Sequence, residues 1–390
     1  MNNSIYTLQF GLLCLSTFLF FSSFNMIIPE LPAFLESLGG GEYKGFIIGL
    51  FTVTAGLSRP FSGKLTDTIG RIPVMVFGAI VCVLCGFLYP LVLTVAGFLA
   101  LRLLHGFSTG FTPTGSSAYI SDVVPINKRG EAMGFVGLCS SLGMACGPFL
   151  GSSLAQVAPL EWVFWSSSAA ALLSIVILAG MKETLQEKQS FSLSLLRLRR
   201  HEILEPRVMA PSVVLLLTTY SLGTVLTLVP DLSDSLGIAN RGLYFLCFTL
   251  ASVSVRFFAG RFSDTIGRAP VLKVGALLYV VAMCLTGFAW RSEVFLFGGV
   301  IFGFAAGINS PTAFAWAIDL SQEGQRGRGL ATLYISLEVG IGLGALLSGW
   351  VFANKVENIS TAFGAGAVLA AGAWLYLHWL QRKHRVQAVH

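Results

Sequence analysis

Apolar runs of about 20 residues, the length of helix that crosses a hydrocarbon core, recur along the whole 390-residue chain. Twelve are read, at 7–29, 45–63, 72–91, 93–119, 131–155, 162–181, 209–230, 241–260, 270–290, 293–316, 328–352 and 359–380. With 54% hydrophobic and 11% charged residues the chain has too little polar surface to cover a soluble globule. In lipid only helices and closed barrels satisfy their own backbone groups. Barrel strands are about 10 residues long and alternate polar with apolar side chains, and these runs do neither, so the expected class is an all-α membrane protein of twelve transmembrane helices. The first run follows "MNNSIYTLQF", which has no basic residue, and no small-residue cleavage site comes after it. It is therefore expected to stay as a helix rather than leave as a signal peptide. Cys14, Cys82, Cys85, Cys139, Cys146, Cys247 and Cys284 all fall inside the runs and read as packing residues. The Cys82-x-x-Cys85 pair lacks a second pair or a histidine to complete a metal site, so no metal or cofactor is expected.

Basic residues set the orientation, because short loops rich in Lys and Arg stay in the cytoplasm. One set of loops carries Lys64, Arg71, Lys128, Arg129, Arg261, Arg268, Arg326, Arg328, Arg382, Lys383 and Arg385, while the opposite set holds Lys44, Arg241, Arg291 and Lys355. Both termini are expected in the cytoplasm. The net charge of +6 then lies where anionic headgroups meet it and calls for no nucleic acid.

The one long polar stretch, 182–208, divides the chain into an expected N-terminal six-helix bundle, 1–181, a cytoplasmic linker, 182–208, and a C-terminal six-helix bundle, 209–390. The segment "SRPFSGKLTDTIGRIPV" at 58–74 returns as "VRFFAGRFSDTIGRAPV" at 255–271, a shift of 197 that carries Arg59 to Arg256, Asp67 to Asp264, Gly70 to Gly267, Arg71 to Arg268 and Asp122 to Asp319. Two like-oriented halves of six helices form the parallel repeat used by alternating-access transporters.

The spacing Gly63-x-x-x-Asp67-x-x-Gly70-Arg71 between the second and third runs resembles the signature of the major facilitator superfamily, and the resemblance covers essentially the whole chain. Members usually place a second cation after the Arg, where this chain has Ile72 and, in the copy, Ala269. The glycines permit a tight turn, and Asp67 suits the positive N-terminus of a neighbouring helix, expected to be that of the eleventh run. The resemblance implies that Arg71 pairs with Asp122, with Arg268, Asp264 and Asp319 as the second copy, and that these links form a cytoplasmic gate. The alternative reading is a plain cytoplasmic loop.

In the fifth run Gly143-x-x-x-Gly147-Pro148-x-x-Gly151 is similar to the antiporter motif of the drug:proton efflux branch. Small residues at four-residue spacing make a flat groove, expected to take the eighth helix, although ordinary packing explains the same pattern. Pro29 and Pro32 are similar to the family's ending of the first helix. Glu30 between them is expected at the outer mouth, solvated.

A charge at mid-bilayer costs about 2.5 to 3.5 kcal/mol on insertion scales, which singles out Arg102 and Glu338. Arg102 opens "RLLHG", similar to the helix-4 motif of proton-linked members, and shares a helix face with His105. His105 is a titrating group or a buried hydrogen-bonding one. Glu338 lies about 16 Å along its helix at 1.5 Å per residue, near the midplane, either as a proton carrier or as half of a fixed ion pair. Glu338, Arg102, His105 and Glu30 are thus the proton-coupling candidates. The fold expected from the resemblance lines its cavity with the first, fourth, seventh and tenth helices, which offer Phe24, Asn25, Arg102, Thr109, Tyr220, Asn309 and Trp316, with Glu338 added from the eleventh.

The expected function is proton-coupled efflux of a small amphipathic or anionic organic molecule by a monomer in the lipid bilayer of a bacterial inner membrane. The alternatives are an uptake symporter or facilitator and, from other classes, a nontransporting receptor or a membrane enzyme. No Ser/His/Asp set or nucleotide loop supports the last.

Overall fold

The computed structural model describes residues 7–124, 129–192, 195, 204–321 and 326–387, and among them the chain forms helices and no strand. The α-helices are α1 (Leu8–Met26), α2 (Leu31–Ser37), α3 (Lys44–Thr68), α4 (Arg71–Leu88), α5 (Val95–Val123), α6 (Arg129–Val157), α7 (Leu160–Ala179), α8 (Met209–Ser235), α9 (Leu243–Ile266), α10 (Arg268–Gly287), α11 (Ser292–Leu320), α12 (Arg326–Phe352) and α13 (Ile359–Gln387). Thr7 caps α1 by accepting the Phe10 N–H at 3.2 Å, and Thr94 caps α5 through Gly97 at 3.2 Å. Pro29 sits in the 3-10 turn Ile28–Glu30 that separates α1 from α2, and Pro32 opens α2, where their missing N–H groups cost nothing.

Every α-helix except the seven-residue α2 has 18 or more residues. Nine segments of the described residues are long and apolar enough to cross a membrane. Helices α3 and α5 fall short of that measure and carry charged and small polar residues, among them Arg59 and Arg102, while α9 contributes the shorter apolar stretch Leu243–Arg256. The helices also outrun the apolar stretches. The run read at 45–63 becomes Lys44–Thr68, and the run at 241–260 becomes Leu243–Ile266. Helical hydrogen bonds continue past the apolar stretch, as where the Ile69 N–H donates to the Leu65 carbonyl at 2.8 Å.

Two bundles result. The first is centred on Phe20, Phe51, Tyr89, Phe98 and Phe164, the second on Tyr244, Phe248, Phe295, Phe302 and Phe363. The shift of 197 relates Phe51 to Phe248 and Phe98 to Phe295, so the repeat seen in the loops extends into the core. It reaches backbone contacts as well. A Cβ added at Gly106 would lie 2.1 Å from the Phe51 carbonyl oxygen, and one at Gly303 would lie 2.1 Å from that of Phe248. Only glycine permits these crossings of α5 on α3 and of α11 on α9. Within the first bundle, serine pairs join α1 to α7: Ser16 Oγ lies 2.8 Å from Ser174 Oγ, and Ser23 Oγ donates to the Ser167 carbonyl at 2.8 Å. The helix ends near Arg71 and Arg268 form what is called here the basic face, and those near Lys44 and Arg241 the far face.

Candidate functional site

Midway along α3 and α12, Arg59 Nη2 donates to Glu338 Oε1 at 2.8 Å, linking the first bundle to the second. The carboxylate side chain is 9% exposed, and the guanidinium carbon stands 4.4 Å from the Tyr334 ring centre. Helix α12 packs closely on α3 at Gly45, where an added Cβ would lie 2.6 Å from the Ala345 carbonyl oxygen. Glu338 also lines a groove of about 530 Å³ between α3 and α12, walled by Val53, Leu57, Val339 and Leu343. A buried carboxylate is costly when charged and unpaired, and the bond to Arg59 offsets that cost. The sequence reading left a proton carrier and a fixed ion pair both open for Glu338. Sequence marks Arg59 only as the repeat equivalent of Arg256 and does not give it as the partner of Glu338.

A larger cavity, about 820 Å³, opens between α6, α9, α11 and α12 toward the basic face, lined by Met133, Leu138, Arg256, Pro311, Phe314 and Tyr334 among others. Of the expected cavity residues, Phe24, Asn25, Arg102, Thr109, Tyr220, Asn309 and Trp316 do not line it. Phe24 stacks on Phe51 with ring centres 5.8 Å apart, and Asn25 Nδ2 donates to the Phe21 carbonyl at 2.8 Å. Thr109 and Tyr220 are buried. Asn309 Nδ2 donates to Thr218 Oγ1 at 2.7 Å, and Trp316 packs against the cluster around Leu272 and Leu333. Helix α11 does supply a wall, but through Ser310, Pro311 and Phe314, one face round from Asn309.

Arg102 lies inside the first bundle, 1% exposed. Its Nε donates to the Ile47 carbonyl at 2.7 Å, its Nη1 to Tyr89 Oη at 3.2 Å, and its guanidinium lies 4.7 Å from the Phe51 ring centre. His105 Nδ1 is 3.4 Å from Tyr89 Oη, while its Nε2, also buried, has no hydrogen-bond partner. The cluster ties α5 to α3 and to the end of α4.

The far face is shut by bonds between the bundles. Lys44 pairs with Asp231 of α8 and with Glu36 at 2.8 Å. Arg241 Nη1 meets Glu30 Oε2 at 2.6 Å and holds Asp234 through two further contacts, at 2.7 and 2.8 Å. Asn240 Nδ2 donates to Ser153 Oγ at 2.9 Å. The solvated acid expected at position 30 is therefore corrected: Glu30 is 6% exposed and also accepts from Ser152 Oγ at 2.6 Å. Sequence could not place Arg241, 211 residues away, against it.

On the basic face the two motif copies are built alike. Arg71 Nε donates to Asp122 at 3.0 Å and Nη1 to Asp67 at 3.0 Å. Arg268 Nε donates to Asp319 at 2.8 Å, and its Nη1 bonds Asp264. Gly70 and Gly267 precede these arginines with φ of 128° and 99°, values that side-chain-bearing residues rarely adopt. Each network stays within its own bundle. Asp67 is 74% exposed rather than seated on α12, and Gly63 meets nothing within 4 Å of an added Cβ. Lys128 lies outside the described residues. Glu183, which the sequence did not mark, accepts the N–H groups of Arg71 at 3.1 Å and Ile72 at 3.0 Å, filling the free N-terminus of α4. Burial raises its pKa, but N–H donation from Leu185, Arg71, Ile72 and Thr184 outweighs that and leaves it below the ordinary carboxylate value.

The groove of Gly143, Gly147 and Gly151 takes a different helix from the one expected. Added Cβ atoms would meet the carbonyls of Phe18, Ser22 and Met26 at 2.6, 2.6 and 2.0 Å, so α1 of the same bundle fills it. Helix α9 touches the opposite side, where an added Cβ at Gly242 would lie 2.3 Å from the Pro148 carbonyl oxygen. A helix has two faces, and the glycine stripe alone does not say which neighbour takes it.

Twinned helical bundles, an ion pair between them and a cavity walled by helices of both are the geometry of a polytopic membrane transporter rather than an enzyme. The sequence model of the Major Facilitator Superfamily matches residues 13–238 and again residues 211–389, and the chain belongs to that superfamily. It is 27% identical over 186 residues to "Multidrug resistance protein 2" of Bacillus subtilis (strain 168), a match spanning 47% of this chain and 46%, about half, of that relative. It is 25% identical over 402 residues to "Quinolone resistance protein NorA" of Staphylococcus aureus (strain MSSA476), covering 99% of this chain and 98% of that one. The crystal structure of the human organic anion transporter MFSD10 (TETRAN) superposes with a TM-score of 0.72 at 21% identity, over 94% of this chain and 98% of that one, a likeness of fold.

Proposed function

We propose that the protein exports small, drug-like amphipathic molecules in exchange for protons, by alternating access, as a monomer in a bacterial inner membrane. The basic face is cytoplasmic by the distribution of Lys and Arg, as are both termini, and the moving bodies are 1–181 and 209–390, joined by the linker 182–208. The conformation described is then open to the cytoplasm and shut outside by the pairs Lys44–Asp231 and Arg241–Glu30. The names of the bacterial relatives support efflux as the direction.

One observation carries the coupling: the Arg59–Glu338 bond, 2.8 Å long, joins the two bundles in mid-membrane. A proton arriving at Glu338 neutralises the carboxylate and frees Arg59, so the α3–α12 contact loosens. Loss of the proton to the other side restores the pair. Substrate in the adjoining cavity acts on the same element through Tyr334, which lines that cavity and underlies Arg59. Flux of a fluorescent drug in proteoliposomes under pH gradients of either sign tests the reading. Exchange predicts that drug accumulates in the lumen when the proton gradient is directed outward, protons leaving an acidic lumen as drug enters. Co-transport with protons, or gradient-independent equilibration, would favour uptake or facilitation instead.

A further inference from the structure

The shift of 197 that maps Arg59 onto Arg256 also maps Ser141 onto Glu338. Both arginines keep the corresponding contact. Arg59 bonds Glu338 across α3 and α12, and Arg256 Nη1 donates to Ser141 Oγ at 3.1 Å across α9 and α6. Geometry is therefore conserved between the halves while charge is not. The first pair is neutral in sum, and the second leaves a full positive charge. Among the described residues no carboxylate lies within ion-pair distance of Arg256.

That cation is exposed to the 820 Å³ cavity, whose other walls include Met133, Leu138, Val253, Pro311 and Phe314. Ser141 donates its own proton to the Gly137 carbonyl at 2.9 Å, so its oxygen is turned to accept from Arg256 and fixes the guanidinium. Arg256 itself lines the cavity beside this contact. A fixed guanidinium fork binds a carboxylate bidentately, and apolar walls strengthen the attraction by excluding water.

We propose that Arg256, set by Ser141, anchors the carboxylate of an amphipathic cargo whose apolar body rests on Phe314, Leu138 and Met133. The cargo supplies the anion that the second half of the repeat lacks. This rests on the export reading and narrows its substrate class.

The test uses the full-length protein in detergent and compares binding of naphthalene-2-carboxylate with that of the neutral naphthalene-2-carboxamide, so that nonspecific apolar binding cancels in the ratio. The native protein should favour the carboxylate about tenfold, a difference of about 1.4 kcal/mol. The preference should fall to about one in Arg256→Gln and also in Ser141→Glu, which adds the missing carboxylate and leaves Arg256 in place. Arg256→Lys should keep part of it. A native protein without preference, or a preference surviving in either of the first two variants at native thermal stability, would overturn the proposal. Because the measurement needs no gradient, anion preference without drug flux sinks only the export reading, and drug flux without anion preference sinks only this one.

Discussion

Arg59 and Glu338 meet at 2.8 Å in the middle of the helices, one on α3 and the other on α12, and so bind the two bundles at the depth where charge is most expensive. Neither side chain is fully sealed, at 13% and 9% exposure. Glu338 also lines the groove between α3 and α12. Removing one partner of such a pair leaves the other charge stranded, at a cost of about 3 to 5 kcal/mol, so the two residues should behave as a unit.

Glu338→Gln should abolish gradient-driven accumulation while leaving downhill exchange and substrate binding within about threefold of native. Arg59→Gln should do the same, and the double variant should be no worse than either single one. Flux assays at several pH values decide this, and full pH-driven transport by Glu338→Gln would remove the residue from coupling.

Loss of the Arg241–Glu30 bond should favour opening of the far face, since it is one of the bonds that join the bundles there. In a background lacking the seven native cysteines, Cys at 153 and 240 should cross-link readily, given the 2.9 Å contact between Ser153 and Asn240. Adding Arg241→Gln should slow that cross-linking severalfold and raise reagent access to position 153. Unaltered rates would mean the seal lies in other contacts.

Asp67→Asn should cost less than about 1 kcal/mol of stability, because the Arg71 pair is exposed on the acid's side. Its effect should fall on turnover rather than binding, since the acid is expected to engage only when the basic face closes. An unchanged turnover number in correctly inserted protein would count against a gating role.

Glu183→Gln should loosen the start of α4, measured as a lower unfolding temperature at neutral pH. The native carboxylate's pKa is depressed, so its stabilisation is complete above the unfolded glutamate value of about 4.3 and disappears as pH falls through the lower folded value. The difference between native protein and variant should therefore close at acid pH, and a gap that stayed constant would assign the effect to shape rather than charge.

Arg102→Met, in contrast, should show its damage in folding yield before any change in transport specificity, since the residue bonds α3 and Tyr89 and stays clear of the cavity. Comparing the yield of folded protein with the drug profile of the surviving fraction separates the two.

Much of this molecule is written in one dimension. Twelve apolar runs, the basic loops and the repeat at 197 residues are local or periodic patterns, and hydrophobic burial and backbone satisfaction convert such patterns into bundled helices with little freedom. The motif arginines were legible for the same reason: Arg71 and Asp67 are four residues apart, across the turn from α3 to α4. What tertiary structure alone decided are encounters between residues far apart in the chain. Arg59 and Glu338 are 279 positions apart, and Glu30 and Arg241 are 211 apart. Sequence marks each as a costly charge without naming the partner that removes the cost, because pairing depends on which helix faces cross and at what depth. The glycine groove of α6 was visible, yet its filling by α1 was settled by the crossing of two helices. The cavity likewise lies between α6 of the first bundle and α9, α11 and α12 of the second. Its walls come from helices of both bundles, so no pattern along the sequence could locate it.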